Sequence, residues 1–513
     1  MSDRGPAQIT AKRRGGRRPA TARRSGMILY AVLVVLAMVS LVTVSLMVRV
    51  QADVQAATAG AANHQAYLAA LSGLQRATLA LPTLADDPTA LWDNEELFRD
   101  QLVYDDGVEQ WYFTVYAYND EDPEIIRYGI TDEATRINVN NRPRENRVTL
   151  SGLPGMTDDL IDALVDYVDP DDMLEAQGAE AEDYARLEIP YLIANAELST
   201  LGELLLVRGF DAPLVYGEDA NRNGLLEANE NDGDTTFPPD NNDTYLDRGL
   251  AGLVTTVTHE LDVSSDGNPR INLNGDPESL GDAGLPDQTL VFIARYRMEG
   301  HEFTDPSELL NMTYDGEDSG IGPDEMANLL DRFTAIPTGD LGTLLGGTPA
   351  GGRGMPVDRR NPIERFDPFE QGSLDDGAVA PEPAQVVTDR VGRVNVNTAP
   401  VEVLAVVGDM GEETARRIVE TRDLLDADLK RTPAWLLTEG LVDDELFKQI
   451  APILTTQSYQ YRVRVVGYGL PAGRYCVLEA VIDLASGRLR TVQLRHLTRL
   501  GAPFALTGPL DQL

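Results

Sequence analysis

The longest uninterrupted apolar stretch of the chain lies near its amino terminus. No charged residue occurs between Gly26 and Val48, about 22 residues, and a helix of about 20 residues crosses the apolar core of a bilayer. The residues before this stretch contain one acid, Asp3, and many bases: Arg4, Lys12, Arg13, Arg14, Arg17, Arg18, Arg23 and Arg24. By the positive-inside bias, this pattern predicts a membrane helix with a cytoplasmic amino terminus and an exported remainder.

A helical pattern continues beyond the apolar stretch. A signal peptide is the alternative interpretation, but its apolar segment would be shorter, about 7–15 residues, and a cleavage site would follow it. Residues 51–81 are instead rich in alanine and lack proline, and one face carries the seam Tyr67, Leu71, Leu74, Thr78 and Leu81. We therefore expect a continuous helix whose soluble half is a stalk that packs against other helices.

Both ends of the exported region carry β-branched and aromatic runs. Residues 108–118 and 125–130 predict two strands, and residues 459–468, 475–484 and 488–497 predict three more. Short turns join the last three, so the strands of both ends are expected to share one antiparallel sheet packed on the stalk. The fold class is α+β, with everything between the two groups of strands forming an insertion.

The insertion contains a repeat. Residues 136–140, 270–274 and 393–397 are three copies of one asparagine-containing phrase, and a predicted helical hairpin follows each copy. In the second hairpin the face expected to be buried is Leu290, Ile293, Ala294 and Met298. Residues 337–383 are rich in Gly, Pro and Asp without periodicity, which predicts a flexible excursion between the second and third hairpins.

These patterns predict seven segments. They are a basic leader (1–26), a transmembrane and stalk helix (27–84), a first group of strands (85–132), an inserted helical domain (133–334), a linker (335–390), a third hairpin unit (391–454) and the carboxyl-terminal strands (455–513).

Charge and composition narrow the function classes. The net charge is −40, and the basic leader makes the exported part still more acidic, which argues against nucleic acid or an anionic membrane surface as a partner. Cys476 is the single cysteine, so an intramolecular disulfide is impossible. The histidines show no metal-ligand spacing and lie near no obvious nucleophile: His64, His259, His301 and His496. We expect a protein that is not an enzyme.

A twelve-residue segment has the pattern of a calcium loop. Oxygen ligands fall at positions 1, 3, 5, 9 and 12, a glycine lies at position 6, and a backbone carbonyl is available at position 7. The predicted Ca²⁺ ligands are Asp219, Asn221, Asn223, Leu225, Glu227 and Glu230. The alternative is a plain acidic surface loop. Candidates for a second ion follow downstream: Asp232, Asp234, Asp240, Asn242, Asp243 and Asp247.

The third hairpin unit resembles a known DNA-binding module. Its opening, Val394-Asn395-Val396-Asn397-Thr398-Ala399-Pro400, is similar to that of competence-type helix-hairpin-helix modules, whose hairpin amides cradle a phosphate at a helix N-terminus. We favour a purely scaffolding role, because acidic pairs (158–159 and 412–413) occupy the first turns of two of these helices and would repel a phosphate. Phosphate binding by the third copy stays an open alternative, since this copy carries Arg416, Arg417 and Arg422.

The amino-terminal region resembles the prepilins of the type IV pilin and pseudopilin superfamily. The resemblance implies cleavage by a prepilin peptidase between Gly26 and Met27. Most members carry glutamate at the fifth mature residue, where this chain has Ala31. Because a carboxylate buried in the membrane needs a partner, the absence of this glutamate suits a subunit with no neighbour ahead of it. The exception known in the superfamily is the K-type minor pseudopilin of type II secretion.

Several phrases of the chain, in order, are similar to the general secretion pathway protein K family. They are residues 132–133, the first asparagine phrase, its hairpin, and the segments 166–172, 178–180, 195–196 and 201–209, followed by the third asparagine phrase. Tyr167 stands where the family usually has tryptophan. The resemblance implies a pilin-like sheet, a calcium-dependent fold, an inner-membrane anchor with a periplasmic bulk, and a place at the pseudopilus tip, where the subunit helps to initiate assembly.

The partners implied by this family are other minor pseudopilins, bound through the stalk helix, together with the inner membrane and the prepilin peptidase; nucleic acid is not expected. Two other functions remain open from the sequence. One is an envelope receptor for DNA uptake that uses the helix-hairpin-helix units. The other is a type IV pilus tip or adhesive subunit with the same anchor.

Overall fold

The computed structural model describes residues 25–84, 88–118, 126–233, 235–336, 389–485 and 489–506. The chain divides into two units, Met1–His64 and Gln65–Leu513. The predicted leader (1–26) and linker (335–390) therefore lie largely outside the described residues, and so does Asp234.

The long helix at residues 25–84 is followed by short helices, which are the main regular structure in the described part of the insertion. The α-helices are Ser25–Leu84, Pro88–Trp92, Glu95–Phe98, Arg147–Ser151, Asp158–Val168, Ala181–Ala185, Ala212–Tyr216, Leu250–Leu253, Pro277–Asp282, Asp287–Met298, Pro323–Arg332, Val401–Val406, Glu412–Arg422, Trp435–Thr438 and Asp444–Ile450. Short 3-10 helices cover Glu133–Thr135, Leu201–Leu206, Ala228–Glu230, Pro306–Leu309, Val407–Asp409, Ala427–Lys430 and Thr498–Leu500.

Strands are long at the two ends of the chain and very short in between. In chain order they are β1 (Gln101–Asp105), β2 (Gln110–Tyr118), β3 (Ile126–Arg127), β4 (Thr131–Asp132), β5 (Ile137–Asn138), β6 (Val254–Thr255), β7 (His259–Leu261), β8 (Ile271–Asn272), β9 (Thr313–Tyr314), β10 (Glu317–Asp318), β11 (Phe333–Thr334), β12 (Asp389–Val391), β13 (Val394–Asn395), β14 (Leu454–Thr455), β15 (Gln460–Leu470), β16 (Arg474–Asp483) and β17 (Arg490–His496).

In the first unit the apolar helix exposes its side chains. Among the described residues, one helix, Ile28–Leu84, is long and apolar enough to cross a membrane, and its most apolar stretch has a mean hydropathy of 2.8. No side chain of that stretch is buried by the protein. An exposed surface of this kind is suited to lipid rather than to water, as the sequence predicted.

The principal sheet confirms the predicted antiparallel arrangement built from both ends of the chain. Its order is β1-β2-β15-β16-β17, with β3 paired to β2 and β4 paired to β15. The carboxyl-terminal strand β15 therefore lies between an amino-terminal strand and its own hairpin partner β16, and all of these pairs are antiparallel.

Within the second unit, small residues of the helix lie against the sheet. Ala66, Ala69, Ala70 and Ala77 are buried, and Gly467 of β15 lies against the backbone of the helix at Ala70. Two members of the predicted partner-binding seam, Leu74 and Leu81, are also buried within this unit. The prediction that this seam is free for other helices is therefore wrong in these positions, because the protein's own packing covers them.

Ion pairs are buried on the inner strands β15 and β16, where the insertion begins. Glu479 of β16 receives hydrogen bonds from Arg462 Nη1 at 2.9 Å and from Arg464 Nε at 2.7 Å. Arg462 also pairs with Glu133, which directly follows β4. A buried ion pair needs all its charges compensated, so this network fixes how the first residues of the insertion meet the sheet.

The three hairpin units share one hydrophobic core. That core includes Ile161 of the first unit, Phe292 of the second and Leu404 of the third. Hydrogen bonds also cross between units: the Gly408 amide donates to Thr149 Oγ1 at 2.9 Å, a link between the third unit and the first. The third unit therefore packs with the other two, a point that the sequence had left open.

Candidate functional site

Each asparagine phrase forms the first half of a two-residue parallel strand pair. β5 pairs with β6, β8 with β11, and β13 with β14. A parallel pair requires the chain to leave and return in the same direction, so each pair closes a loop of chain that contains one helical hairpin. The three asparagine phrases thus share one strand arrangement, whereas the helix-hairpin-helix character of the units stays a prediction.

The second asparagine of the phrase holds the loop closed. In the first unit, Asn140 Oδ1 accepts from the Leu198 amide at 2.9 Å, and its Nδ2 donates to the Leu198 carbonyl at 3.0 Å. In the second unit, Asn274 makes the same pair of bonds with Phe303, at 2.9 and 2.7 Å. These asparagines are buried, and their hydrogen-bonding capacity is directed at the backbone.

The hairpins differ from the expected burial mainly in the second unit. In Asp158–Val168 and Glu412–Arg422 most of the residues that the periodicity indicated are buried, although Val168 and Val419 are only half-buried. In Asp287–Met298 the buried positions are Thr289, Phe292 and Ile293. Ala294 is exposed, and Met298 is 88% exposed. The helix is rotated relative to the prediction because its aromatic residue, Phe292, takes the core position.

The arginines of the third hairpin make protein contacts. Arg422 donates to the carbonyls of Val396 and Ala399, and burial lowers the pKa of its guanidinium. Arg416 forms an ion pair with Glu412 in the first turn of the same helix. These contacts give Arg422 a structural role and favour the scaffolding interpretation of this hairpin.

The predicted calcium loop follows the helix Ala212–Tyr216 and ends in the 3-10 helix Ala228–Glu230. Its first and last carboxylates are buried: Asp219 is 7% exposed and Glu230 is 1% exposed. A plain acidic surface loop would leave these side chains in solvent. The two ends of the loop therefore lie in the protein interior.

Both end carboxylates are held by backbone amides. Asp219 accepts from the Asn223 and Gly224 amides, each at 3.0 Å. Glu230 accepts from the Ala220 amide through Oε1 and from the Glu227 amide through Oε2, again at 3.0 Å each. The loop is therefore wrapped around its own acidic side chains.

The middle of the loop turns sharply, as the pattern requires. Gly224 has a φ of 76°, and a Cβ there would lie 2.5 Å from the ring of Tyr118. The Tyr118 hydroxyl donates to the Asn223 carbonyl, which anchors the loop to β2. Glycine at position 6 is thus required both by backbone conformation and by the close approach of the aromatic ring.

The side chains at positions 3, 5 and 9 form a connected group. Asn221 Oδ1 accepts from the Asn223 amide at 2.8 Å, and Asn223 Nδ2 donates to Glu227 Oε1 at 3.0 Å. The Leu225 amide donates to Asn223 Oδ1 at 2.7 Å, which orients that oxygen. The predicted ligands Asp219, Asn221, Asn223 and Glu227 are therefore brought together, with Leu225 between them.

The electrostatics of the loop fit a divalent cation. Burial raises the pKa of Asp219, although backbone amides oppose the rise. Burial also raises the pKa of Glu230, and the negative charges of Asp219 and Glu227 add to the effect. A cation among these oxygens would offset the repulsion, and the donor set is of the type that Ca²⁺ prefers, so calcium binding by this loop stays a prediction.

The predicted second group is only partly brought together. Asp240 accepts from the Asp232 amide at 2.9 Å and from the Asn242 amide at 2.8 Å, whereas the Asp247 carboxylate accepts from the Gly249 amide in a different turn. Asp234 lies outside the described residues. A second ion here stays a prediction.

Glu218 connects the two turns, and sequence reasoning missed it. Its Oε1 accepts from the Asn241 amide at 3.1 Å and its Oε2 from the Asp247 amide at 3.2 Å. Burial raises its pKa, with further contributions from Asp247 and Asp240. The sequence signal for Glu218 was its position directly before the predicted calcium loop.

The predicted processing site lies at the start of the long helix. Gly26 and Met27 are in the first turn of Ser25–Leu84, and the basic leader before them lies outside the described residues. Cleavage at this point stays a prediction.

Comparison with known proteins gives a family match for the region around the first hairpin. The family described as type II secretion system (T2SS), protein K, matches residues 148–216, which run from the first hairpin to the helix before the calcium loop. Type II secretion system protein K of Pectobacterium carotovorum subsp. carotovorum is 34% identical over 92 residues, covering 17% of this chain and 28% of the relative. The alignment thus spans less than a third of the relative's length.

The comparison of folds gives only a weak match to a solved structure. The GspK-GspI-GspJ complex of the enterotoxigenic Escherichia coli type 2 secretion system matches with a TM-score of 0.36 and 10% sequence identity, over 84% of this chain and 96% of the other. The family match over residues 148–216 and the curated relative confirm the predicted resemblance to protein K of the type II secretion system.

Proposed function

We propose that this protein is a minor pseudopilin of a type II secretion system. The observation that carries the proposal is the match of the first hairpin region, residues 148–216, to the protein K family. The apolar helix Ile28–Leu84 supports it, because a pseudopilin needs a single helical anchor in the inner membrane. The amino terminus is then cytoplasmic and the sheet with its insertion is periplasmic.

We place the contact with other minor pseudopilins on the exposed side of the stalk. Leu79 is 71% exposed, and Leu68 is also exposed on the same helix. Residues 68, 72, 75 and 79 follow one another at steps of four, three and four, so they lie on one face. This face carries apolar groups that the protein's own sheet does not cover, and it replaces the buried part of the predicted seam.

The size of the insertion supports a place at the pseudopilus tip. The hairpin units between residues 133 and 454 add a large body to the pilin-like sheet. A body of this width would obstruct the helical stacking of a further subunit above it. We propose that the protein caps the filament and helps to initiate its assembly, with bound Ca²⁺ stabilising the insertion.

Site-directed crosslinking tests the proposed partner surface. The native Cys476 is buried, so a cysteine introduced on the surface provides the reactive thiol. Leu79→Cys should crosslink in cells to another minor pseudopilin of the same system, whereas Val108→Cys, exposed in the turn between β1 and β2, should not. Identification of pilus subunits or adhesion partners instead would replace the secretion assignment with the type IV pilus alternative.

Secretion and processing test the assignment independently. Deletion of the gene should block export through the type II system, and the wild-type gene should restore it. Gly26→Val should leave the leader attached, whereas Ser25→Ala should be trimmed normally, as measured by the mass of the membrane-bound protein. Normal trimming of the Gly26 variant would count against the prepilin assignment.

A further inference from the structure

The last strand of the principal sheet has an open edge. β17 (Arg490–His496) pairs with β16 on one side, and among the residues that the structure describes no strand pairs with its other side. Six of its seven residues are exposed, including Leu494 and Arg495. A strand in this position presents unpaired backbone N–H and C=O groups, to which another extended chain can bind.

The register of β17 shows which backbone groups face the open edge. The Leu497 amide donates to the Val477 carbonyl at 2.9 Å, in the direction of β16. Because successive amides of a strand point to opposite sides, Arg495 also directs its amide at β16, whereas Leu494 and His496 direct theirs away from it. These two residues therefore offer their N–H and C=O groups to a further strand.

One face of the sheet at this edge is apolar and aromatic. The His496 ring stacks on Tyr67 of the long helix, with 5.6 Å between the ring centroids. Side chains two residues apart lie on the same face of a strand, so Leu494 shares the face of His496. Leu494 is 46% exposed. A further strand would therefore bury apolar side chains against Leu494 on this face.

The opposite face of the edge is basic. Arg495 Nη1 donates to Glu479 Oε1 at 2.9 Å, but Arg462 and Arg464 pair with the same carboxylate. Glu133 compensates Arg462 as well, so three guanidinium groups share two carboxylates. Arg495 is the outermost of the three, with 46% of its side chain exposed. Its positive charge is therefore available to an acidic side chain on a further strand.

The charge of the surrounding strands favours an acidic partner. Residues 456–510 contain seven arginines, no lysine and two acids, whereas the whole chain has a net charge of −40. Two copies of so acidic a protein repel each other, which argues against a second copy as the occupant. A nucleic acid or an anionic lipid fits less well than a peptide, because the outward carbonyls of β17 require N–H donors.

The irregularities of β17 make the edge selective. The register shifts between Val481 and Ile482 of β16, and Arg490 and Arg495 carry charge along the strand. Bulges and charges of this kind protect an edge from pairing with apolar strands. The same arginines attract a strand of opposite charge, so they select the partner and do not simply block the edge.

We propose that the open edge of β17 binds an extended segment of a partner protein in which apolar residues alternate with acidic ones. The segment adds to the sheet as a further strand through the backbone groups of Leu494 and His496. Its apolar side chains pack on Leu494, and its acidic side chains face Arg495. This period of two matches the alternation of the two faces of β17.

The test uses the full-length protein in detergent and a labelled peptide of about eight residues in which valine alternates with glutamate. A peptide of alternating valine and lysine is the control. Fluorescence anisotropy should show binding of the acidic peptide that weakens with salt, and no binding of the basic one. Hydrogen–deuterium exchange should show about two further protected amides in β17 when the acidic peptide is bound. Equal affinity for the two peptides, or no binding of the acidic peptide, would overturn the proposal.

Substitutions at the edge separate backbone pairing from general attraction. Leu494→Pro removes an N–H that faces outward and should weaken binding about tenfold relative to Leu494→Ala, which keeps it. Arg495→Gln should weaken binding and reduce its dependence on salt, and it tests the site independently if the proline variant is unstable by thermal melting. Equal binding by the wild type, the folded proline variant and Arg495→Gln would overturn the proposal.

Other occupants of the edge give different results. Binding of the acidic peptide only after residues 340–385 are replaced by a glycine-serine linker would show that the chain's own linker occupies the edge, against the proposal. Self-association that the peptide abolishes would assign the edge to a second copy. Binding of single-stranded DNA in competition with the peptide, unaffected by Leu494→Pro, would show general anion binding and overturn strand addition. None of these results depends on the proposed role in secretion.

Discussion

Gly467 in the central strand lies directly against the backbone of Ala70 in the long helix. A Cβ on Gly467 would come within 2.1 Å of the Ala70 nitrogen and 2.4 Å of the Ala66 carbonyl oxygen. Those atoms belong to the helix backbone, so they cannot move aside as the end of a side chain could. The absence of a side chain at Gly467 therefore sets how closely the helix approaches the sheet.

Gly467→Ala should destabilise the protein by about 1–3 kcal/mol, because the helix must shift away from β15. Gly281→Ala is the control, since Gly281 lies in a helix with open space around its Cβ direction. That substitution should be neutral or stabilising by about 0.5–1 kcal/mol. Urea unfolding measures both, and equal stability of Gly467→Ala and the wild type would contradict the close contact.

The sequence predicted the long strands well because their pattern is local. The runs expected at 459–468, 475–484 and 488–497 correspond to β15, β16 and β17 with boundaries within two residues. Alternating β-branched and aromatic residues identify such strands without knowledge of their partners. The three asparagine phrases were recognised for a similar reason, since repetition is visible in the sequence alone.

Features that depend on tertiary contacts were not predictable in this way. The return strands β6, β11 and β14 have two residues each, and they are defined only by their hydrogen bonds to their parallel partners. The prediction that the stalk seam is free for other helices was partly wrong, because the spacing of apolar residues does not show which surface covers them.

Asn274 tests the role of the asparagine phrase. Asn274→Asp replaces the donor to the Phe303 carbonyl by a carboxylate oxygen, so two acceptors would face each other in a buried site. We expect a loss of about 3 kcal/mol from the unsatisfied groups and the buried charge. Asn397→Asp should cost less, because Asn397 is only half-buried, so solvent can reach the new charge, and because it loses one donated bond, to the Lys430 carbonyl, where Asn274 loses two.

Urea unfolding of the two variants provides the measurement. Equal losses for Asn274→Asp and Asn397→Asp would show that the paired contacts with Phe303 do not hold the loop closed.

Glu133 tests the buried ion network. Burial alone would raise its pKa, but the charges of Arg462 and Arg136 lower it to about 2. Glu133→Gln leaves Arg462 with less compensation, and loss of one partner of a buried pair typically costs about 3–5 kcal/mol. Glu95→Gln, which breaks an exposed pair with Arg99, should cost at most about 0.5 kcal/mol. Comparable losses for both variants by chemical denaturation would argue against the network.

Asp132 is expected to make the stability of the folded protein depend on pH. Burial, helped by the adjacent charge of Glu133, raises the pKa of Asp132 to about 6, although Ser458 and Thr398 donate hydrogen bonds to it. An acid whose pKa is raised in the folded state is protonated there more readily than in the unfolded chain. Its contribution therefore falls as the pH rises from about 4 through about 6.

Asp132→Asn should remove this contribution. The free energy of unfolding of the wild type, relative to the variant, should fall by up to about 3 kcal/mol between pH 4 and pH 7. Parallel curves for the two proteins over this range, measured by urea unfolding in the presence of EDTA, would show that Asp132 has an ordinary pKa.

Calcium removal tests the loop at residues 219–230. Because Asp219 and Glu230 are buried and repel each other, an ion bound between them would stabilise the folded state, by about 2.7 kcal/mol at 100 times its dissociation constant. EDTA should therefore lower the melting temperature by a few degrees, and Glu230→Gln should abolish much of this response. Asn229→Ala, at a position of the same loop that supplies no predicted ligand, should respond as the wild type does. A melting temperature that is independent of calcium in all three proteins would leave the loop as a purely hydrogen-bonded turn, held by its own amides and by Tyr118.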